Sequence, residues 1–247
     1  MTRLSACIIT LNEERGIART IESLRCCDEV LVLDSGSTDR TSDIARGLGA
    51  RVIEEPWRGY ARQKNRAAEC AEHDWILSLD ADETLTEELE AEVLLLKQEG
   101  FARAGYSMPR MAQYLGRWIR HGGWYPDRKV RLYNRRSGLW EGDFVHESVR
   151  VKGEVGELRG AIHHFTCDSL SEHLNTLNRY TNLAAEELKS RGRVPGMGRL
   201  LCDPLWTFVR TYVVRQGFRD GFPGLAIAYM AALYTFLKYA KAREASL

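Results

Sequence analysis

Three patterns are missing from this chain of 247 residues, and each absence excludes a class of protein. Its six cysteines include no C-x-x-C pair, the spacing that many zinc and redox sites use. The longest apolar run, 224–237, has about 14 residues, whereas about 20 are needed to span a bilayer. The N-terminus shows no signal-peptide pattern. We therefore expect a cytoplasmic protein with reduced thiols and no transmembrane helix.

The chain also lacks a strong net charge and the common glycine-rich nucleotide motifs. Its formal net charge of +1 does not suggest a nucleic-acid binder. Neither G-x-G-x-x-G nor the Walker A sequence occurs, so dinucleotide-binding and P-loop interpretations are weak. The charge is uneven, however: residues 103–136 hold nine Lys or Arg and one acid, and residues 189–219 hold seven and one. Such segments favour an anionic substrate or an anionic membrane surface.

What the chain does contain is a regular alternation of strand and helix patterns in its first part. Short apolar segments at 4–9, 29–33, 51–53 and 75–79 each precede a stretch of helical periodicity or a turn. This alternation predicts an α/β fold with a mostly parallel sheet flanked by helices. In open α/β sheets, ligands bind at the carboxyl ends of the strands. We therefore expect the functional site at that edge.

The stretch 75–83, WILSLDADE, is the strongest of these strand ends. Asp80 and Asp82 follow a buried strand and are separated only by the small Ala81, so both can reach one centre. Two such carboxylates repel each other unless a cation lies between them or one of them is protonated. A hard divalent ion that binds both carboxylates, and substrate phosphates as well, removes this repulsion. The alternative is an acidic loop, since residues 84–88 resemble a helix start.

The ends of the first two strands carry further candidates. Asn12 is a favourable N-cap residue, which predicts that the first helix begins there. Asp34 can accept a hydrogen bond from a base N–H or a ribose hydroxyl, and Ser35 and Gly36 are small enough to let a ligand approach the backbone. Asp39 is expected to cap the second helix.

Cations lie near the start of the helix that we predict over 60–73. Lys64 and its basic neighbours oppose the helix dipole there, which is mildly unfavourable. A phosphate ligand would explain the arrangement, with Lys64 and Asn65 among its contacts.

Four segments, taken together and in order, resemble family 2 glycosyltransferases of the GT-A fold: SACIITLNEE at 5–14, VLDSGSTD at 32–39, KNRA at 64–67 and LDADE at 79–83. The resemblance implies a Rossmann-like GT-A sheet and a nucleotide-sugar donor. It also implies that Asp80-x-Asp82 is the D-x-D motif, which binds Mg²⁺ or Mn²⁺ bridging the donor diphosphate. The donor contacts that it suggests are Thr10, Leu11, Asn12, Glu13, Asp34, Ser35, Gly36, Lys64, Asn65, Asp80, Ala81, Asp82 and Arg131.

The second half resembles a narrower group within that family, the lipopolysaccharide-core β-glucosyltransferases that act on an inner-core heptose. The segments that carry this likeness are GGWYPDRKVRLY at 122–133, WEGDFVHE at 140–147, AIHHF at 161–165, GFRDG at 217–221 and KYAK at 238–241. The likeness covers nearly the whole chain. It implies UDP-glucose as donor, a lipid-linked saccharide acceptor, and a location at the inner face of the bacterial inner membrane.

An inverting transfer needs a base near the acceptor hydroxyl and no protein nucleophile. The resemblance favours Glu147 as this base, with Asp143 and Glu141 as alternatives. His146 is a candidate to orient the base or to contact the acceptor. A structural ion pair is the alternative role for Glu147.

Two further groups of side chains suit the charge of the donor. His163 or His164 is a candidate metal ligand, because a C-terminal His has this role in some GT-A enzymes; packing in an aromatic cluster is the alternative. Arg131, with Arg128 and Lys129 as alternatives, can bind phosphate oxygens through its planar fork.

Beyond the catalytic part, the sequence predicts a helical extension. SLSE at 169–172 is a capping box that predicts a helix to about residue 191. A break at 192–198 and two aromatic helices, 204–216 and 224–242, follow. Their basic ends suit an anionic membrane surface. The alternatives are a hairpin buried against the catalytic domain and a contact in a homo-oligomer.

The expected organisation is therefore a GT-A catalytic domain, 1–168, and a helical extension, 169–247, with the donor half at about 1–100 and the acceptor half at about 101–168. The leading function is an inverting, metal-dependent transfer of glucose from UDP-glucose to a lipopolysaccharide inner-core heptose. One alternative is the same chemistry on a polyprenyl-linked sugar or a peptide. Others are a sugar nucleotidyltransferase, whose glycine-rich basic loop is missing, and an inactive binding module.

Overall fold

The computed structural model describes residues 1–142, 147–192 and 195–244. The strands in these ranges, β1 to β12 in chain order, are Leu4–Thr10, Glu29–Asp34, Arg51–Glu54, Trp75–Asp80, Glu83–Leu85, Gly105–Tyr114, Arg117–Trp118, Asp127–Asn134, Gly138–Glu141, Ser148–Val151, Val155–Glu157 and Ile162–Cys167. The α-helices there, α1 to α7, are Ile17–Glu22, Thr41–Gly47, Tyr60–Cys70, Glu87–Glu99, Leu170–Ser190, Met197–Val209 and Gly221–Glu244. A π-helical segment, Arg210–Val214, and a 3₁₀ segment, Gly217–Asp220, lie between the last two helices.

The main sheet has the strand order β3-β2-β1-β4-β8-β6-β12-β5, with β7 and β11 paired to β6. Strands β1 to β4 are mutually parallel, and β8 joins β4 in the antiparallel sense. The register sets Thr10 beside Asp34 and Ile9 beside Asp80. The carboxyl ends of β1, β2 and β4 therefore meet at one edge, and the predicted α/β fold is confirmed.

The parallel strands are buried on both faces, which explains why they read as continuous apolar runs. Alternate residues of β1 enter different cores: Leu4 and Ile8 belong to one cluster, and Cys7 and Ile9 to the other. The first cluster includes residues from α1, α2 and α4, whereas the second includes residues of α3. Helices on both faces thus hold the sheet, and its carboxyl edge is left for the site.

The prediction that Asn12 caps the first helix is wrong. Helix α1 begins at Ile17, preceded by Gly16. Asn12 instead adopts a positive φ of 57°, and its Oδ1 accepts a hydrogen bond from the backbone N–H of Thr38 at 2.8 Å. Asn tolerates this left-handed conformation better than most residues. Its side chain therefore joins the two loops that follow β1 and β2.

The predicted start of the helix at Pro204 is also wrong, because α6 begins at Met197 and contains Pro204 in its interior. Proline removes the N–H that would bond the carbonyl four residues earlier, and such interruptions are usually disruptive. Helix α6 nevertheless continues through Pro204 to Val209. The capping box before α5 is confirmed, since the Ser169 side chain accepts from the N–H of Glu172.

The chain forms two compact units. The first contains Met1–Arg110 and Asp127–His164, and the second contains Met111–Pro126 and Phe165–Leu247. Strands β6 and β12 begin in the first unit and end in the second. The predicted boundary at residue 168 remains a prediction of domain organisation, and residues 111–126 group with the C-terminal helices.

The second unit has its own small core. Tyr114, Ile119 and Ile227 are buried together, with Trp124 packed against them. Among the described residues, no helix combines the length and the apolar character that crossing a membrane demands. The six cysteines, all of which lie in the described ranges, form no disulfide, as the sequence predicted.

Candidate active site

Asp80, the last residue of β4, lies between two buried cations. Its Oδ1 is 2.9 Å from Lys64 Nζ, and its Oδ2 is 2.9 Å from Arg131 Nη2. Both cationic side chains are almost wholly buried, at 2% and 4% exposure. Burial alone would raise the pKa of Asp80, but the charges of Arg131 and Lys64 outweigh it and lower that pKa. Asp80 is therefore a firmly ionised carboxylate whose oxygens both have partners.

Arg131 connects Asp80 to a second, deeper acid. The same Nη2 atom lies 2.7 Å from Glu83 Oε1, and Glu83 is wholly buried. The two acids raise the pKa of Arg131 despite its burial. Within the described residues, Arg131 Nε and Nη1 have no hydrogen-bond partner. Because buried donors are nearly always paired in folded proteins, these two N–H groups are candidates for a ligand oxygen.

Lys64 links the acidic strand end to Glu147. Its Nζ lies 3.2 Å from Glu147 Oε1 and also 4.3 Å from the centre of the Trp140 ring. Lys64 sits on the first turns of α3, so a cation that opposes the helix dipole is here neutralised by two carboxylates rather than by a phosphate. One ammonium group thus holds Asp80 and the candidate base at a common centre.

Asp82 faces a different partner. Its Oδ2 lies 3.1 Å from Nε2 of His164, which is on β12. Successive side chains of a strand point to opposite faces, so His163 and His164 cannot both face Asp82. Burial would lower the pKa of His164, but the hydrogen bond and charge of Asp82 raise it. Burial lowers the pKa of His163.

The Asp82–His164 pair has the chemistry of a divalent-metal site. A carboxylate oxygen and an imidazole nitrogen at this separation can both bind one cation, which leaves its other positions to oxygen ligands from substrate and water. No group of three or more His, Cys, Asp or Glu side chains suited to a metal occurs in residues 1–142, 147–192 and 195–244. The residues present fit a metal that is completed by the donor diphosphate, with Asp80 paired to cations instead.

The peptide between the two aspartates is fixed by helix α1. Thr20 Oγ1 donates to the carbonyl oxygen of Ala81 at 2.7 Å. A Cβ atom at Gly16 would lie 3.0 Å from the same oxygen, so a larger residue at position 16 would crowd it. Ala81 is itself buried. The turn that separates Asp80 from Asp82 is therefore held by the Thr20 hydrogen bond and by close packing at Gly16.

The loops after β1 and β2 form a hydrogen-bonded unit beside this turn. Asp34 is buried, and its carboxylate accepts from Ser37 N at 3.0 Å and Ser42 Oγ at 2.5 Å. Ser35 N donates to Thr10 O at 2.9 Å, while the Thr10 hydroxyl oxygen has no partner in the described residues. Asp34 thus holds these loops together in the structure, and the donor contacts of Asp34 and Thr10 stay predictions.

Three other predicted donor residues occupy the same loops. Leu11 is half exposed, and Gly36 has a φ of 96°, a conformation that favours glycine. Burial and the charges of Asp82 and Asp39 raise the pKa of Glu13 to about 7. Glu13 therefore belongs to the acidic centre around Asp82.

Asn65 has both ends of its side-chain amide engaged. Oδ1 accepts from Trp140 N at 2.9 Å, and Nδ2 donates to Trp140 O at 2.9 Å. This pairing anchors β9 to α3 and places the Trp140 ring beside Lys64 and Arg131. Asn65 therefore positions Trp140, and its contact with the donor stays a prediction.

Two members of this centre, Glu83 and Trp140, were predicted only as parts of the segments LDADE and WEGDFVHE, and two other candidates lie outside the described residues. Asp143 and His146 fall in 143–146, which the structure does not describe, so their roles stay predictions. Of the alternatives for phosphate binding, Arg128 donates to the carbonyl oxygen of Ser107 at 2.9 Å.

Comparison with known proteins agrees with this geometry. A family model described as "Glycosyl transferase family 2" matches residues 5–150. An uncharacterized glycosyltransferase of Rickettsia typhi is 33% identical over 259 residues, covering 100% of this chain and 89% of that protein. The lipopolysaccharide core biosynthesis glycosyltransferase LpsC of Rhizobium meliloti is 35% identical, covering 96% and 91%.

The solved structure of S. aureus TarS 1–349 is similar in fold. It aligns with 99% of this chain and 92% of that chain, with a TM-score of 0.50 and 14% sequence identity. The resemblance drawn from the motifs is confirmed by the family match and by the relatives, and the fold by this likeness.

Proposed function

The chain belongs to glycosyltransferase family 2 and is a glycosyltransferase, and from this premise we propose that it transfers glucose from UDP-glucose to a lipopolysaccharide inner-core heptose with inversion. The acceptor class rests on its similarity to LpsC, whose name refers to lipopolysaccharide core biosynthesis. The acceptor is then part of a lipid, so we also place the protein at the inner face of the bacterial inner membrane.

One observation carries the proposal: Lys64 Nζ contacts both Asp80 and Glu147. Asp80, at the end of β4, and the candidate base Glu147 are thereby held around one ammonium group. A single in-line displacement requires the base to lie close to the donor site. In that displacement the acceptor oxygen forms a bond to the anomeric carbon while the bond from that carbon to the diphosphate oxygen breaks. Glu147 accepts the proton of the acceptor hydroxyl, and UDP leaves with the electron pair of the broken bond.

The leaving diphosphate gains negative charge, which the site is built to stabilise. Arg131 Nε and Nη1, which lack partners in the described residues, would each donate to a diphosphate oxygen. Mg²⁺ or Mn²⁺ bound by Asp82 and His164 would supply Lewis-acid stabilisation of the same charge. The loops around Thr10, Asn12 and Gly36 would contact the nucleoside.

The test is transfer of a hexose to a heptose-terminated core oligosaccharide that lacks glucose. Purified protein is incubated with UDP-glucose and Mn²⁺, and mass spectrometry follows the acceptor while UDP release is measured. We expect a mass increase of one hexose and stoichiometric UDP. Transfer to a polyprenyl-linked sugar or a peptide alone would replace the proposed acceptor. Release of pyrophosphate would contradict glycosyl transfer itself.

The donor is tested separately by thermal shift with UDP, GDP, CMP and ADP, each with and without Mn²⁺. A ligand that binds only the native state raises the melting temperature. We expect a metal-dependent increase with UDP. An increase with another nucleotide but not with UDP would exclude UDP-glucose as the donor.

A further inference from the structure

Helix α6 exposes its apolar side chains along its whole length. Met197, Leu201, Leu205 and Val209 recur every four residues, so they lie on one face of the helix. Leu205 is 70% exposed, and Trp206 beside it is 60% exposed. No residue of α6 is buried. Helix α6 contacts α7 through Asp203, Thr207 and Phe208. The face that carries Leu201, Leu205 and Val209 stays exposed.

The exposed apolar surface continues beyond α6. The π-helical and 3₁₀ segments and the start of α7 add further exposed apolar side chains, namely Val213, Val214, Phe218 and Phe222. Below them, Phe208 stacks on Tyr212 with ring centres 5.5 Å apart, and Tyr212 contacts Phe218. These side chains, together with the face of α6, define the α6 surface. Soluble monomers rarely expose continuous apolar surfaces of this kind.

The charges around the α6 surface all have one sign. Arg199, Arg210, Arg215 and Arg219 are exposed on the same segments. The sequence from 195 to 243 contains two acids, Asp203 and Asp220. Asp203 accepts from the Tyr239 hydroxyl at 3.0 Å, and the buried Asp220 accepts from His121 N at 2.8 Å. Both acids are therefore engaged inside the second unit, and the surface is basic and apolar.

We propose that the α6 surface docks on an anionic phospholipid bilayer, with α6 lying in the plane of the interface. Apolar side chains and Trp206 would enter the boundary between head groups and acyl chains, while the arginines bind lipid phosphates. Charge decides between this occupant and a second copy of the chain. A two-fold contact through this surface would bring two basic surfaces together, while Asp203 and Asp220 are already engaged within the unit, so the contact would be repulsive.

This inference deepens the proposed function, since it explains how the enzyme reaches an acceptor held in a membrane, but its observations are independent of the active site. The experiment is co-sedimentation with vesicles of phosphatidylcholine alone and of phosphatidylcholine and phosphatidylglycerol in equal parts. We expect binding to the anionic vesicles that weakens as salt is raised.

Two paired variants and two matched controls test the surface. Leu205→Ser with Trp206→Ser should reduce the partition coefficient at least about tenfold, because it removes the most exposed apolar groups. Arg199→Glu with Arg210→Glu should abolish the preference for anionic vesicles. The controls are Leu95→Ser, at a site on α4 that is 53% exposed, and Arg3→Glu with Arg159→Glu in the first unit; both should bind as wild type does.

Three outcomes would overturn the inference: no binding of the wild-type protein to anionic vesicles at low salt, undiminished binding of the Leu205/Trp206 variant, or equal loss in the controls. Analytical ultracentrifugation adds a fourth, a dimer that the Leu205/Trp206 variant converts to monomer without any vesicle binding. The UDP thermal shift of the same proteins separates the two proposals. Vesicle binding without a UDP shift contradicts the function alone, and a UDP shift without vesicle binding contradicts the docking alone.

Discussion

The first unit buries charge, whereas the second unit exposes apolar surface. Lys64, Arg131 and Glu83 are almost wholly inside the first, and Leu205 and Trp206 are mostly outside in the second. Both arrangements are opposite to the ordinary distribution of residues in folded proteins. A buried charge is tolerated only when it is paired, and an exposed apolar side chain loses the stabilisation that burial gives. In this chain the two departures coincide with the candidate chemistry and the candidate docking surface.

The largest effect is expected from removing the central buried cation. Arg131→Met leaves Glu83 and Asp80 each with one cation fewer, and breaking a buried ion pair from one side typically destabilises a protein by about 3–5 kcal/mol. Urea denaturation measures the change in the free energy of unfolding. Arg150→Met is the control, because Arg150 is 76% exposed and 3.9 Å from its partner. Similar, small losses in both variants would mean that the first unit does not depend on its buried charges.

The next effect concerns the acid that Lys64 holds. Glu147→Gln keeps the size of the side chain but cannot accept the proton, so turnover should fall about 10²- to 10⁴-fold. The UDP-induced thermal shift should be retained. Glu141→Gln is the matched control, since Glu141 lies on the neighbouring strand and is 59% exposed. If the control loses as much turnover as Glu147→Gln does, the base is not identified by its contact with Lys64.

The two adjacent histidines allow a finer comparison within the first unit. His164→Ala should weaken Mn²⁺-dependent UDP binding at least about tenfold, which is about 1.4 kcal/mol. The reason is that the metal loses the proposed imidazole ligand beside Asp82. His163→Ala should leave that binding close to wild type, since its side chain lies on the other face of the strand. The measurement is isothermal titration with UDP at fixed Mn²⁺. Reversed effects of the two substitutions would move the metal ligand to His163.

The smallest effect is expected on the exposed surface of the second unit. Leu205→Ser should change the free energy of unfolding by less than about 0.5 kcal/mol, as most surface substitutions do. Leu77→Ser is the matched change inside the first unit, where Leu77 is wholly buried. It should destabilise by more than about 2 kcal/mol, the lower range for loss of a buried leucine. A large loss for Leu205→Ser would indicate that α6 depends on this side chain for folding.

Local sequence patterns predicted most of the fold of the first unit. The apolar runs of β1, β2 and β4 and the alternation with helices were sufficient for the parallel sheet. Local propensity did not predict where the helices begin next to a loop or on an exposed surface. Asn12 is a favourable cap, yet its side chain accepts from the backbone N–H of Thr38, and α6 begins at Met197 and runs through Pro204.

The sequence named most of the residues that the structure brings together, but it did not predict how they pair. Asp80, Asp82, Lys64, Arg131 and Glu147 were all candidates, but the sequence suggested one cation shared by the two aspartates. In the structure, Asp80 instead pairs with cations that are distant in sequence, and Arg131 lies 51 positions further along the chain. Asp82 pairs with His164, which is 82 residues away. Such pairings follow from sheet register across many strands, which periodicity within a single strand does not encode.

The position of Lys64 has an evolutionary consequence. One ammonium group separates two carboxylates and lies against the Trp140 ring, in a space that leaves 2% of its side chain exposed. A neutral residue there would leave Asp80 and Glu147 facing each other, and the planar guanidinium of arginine does not have the shape of an ammonium. We therefore expect positions 64, 80 and 147 to change together in relatives, because each replacement is tolerable only in the presence of the others.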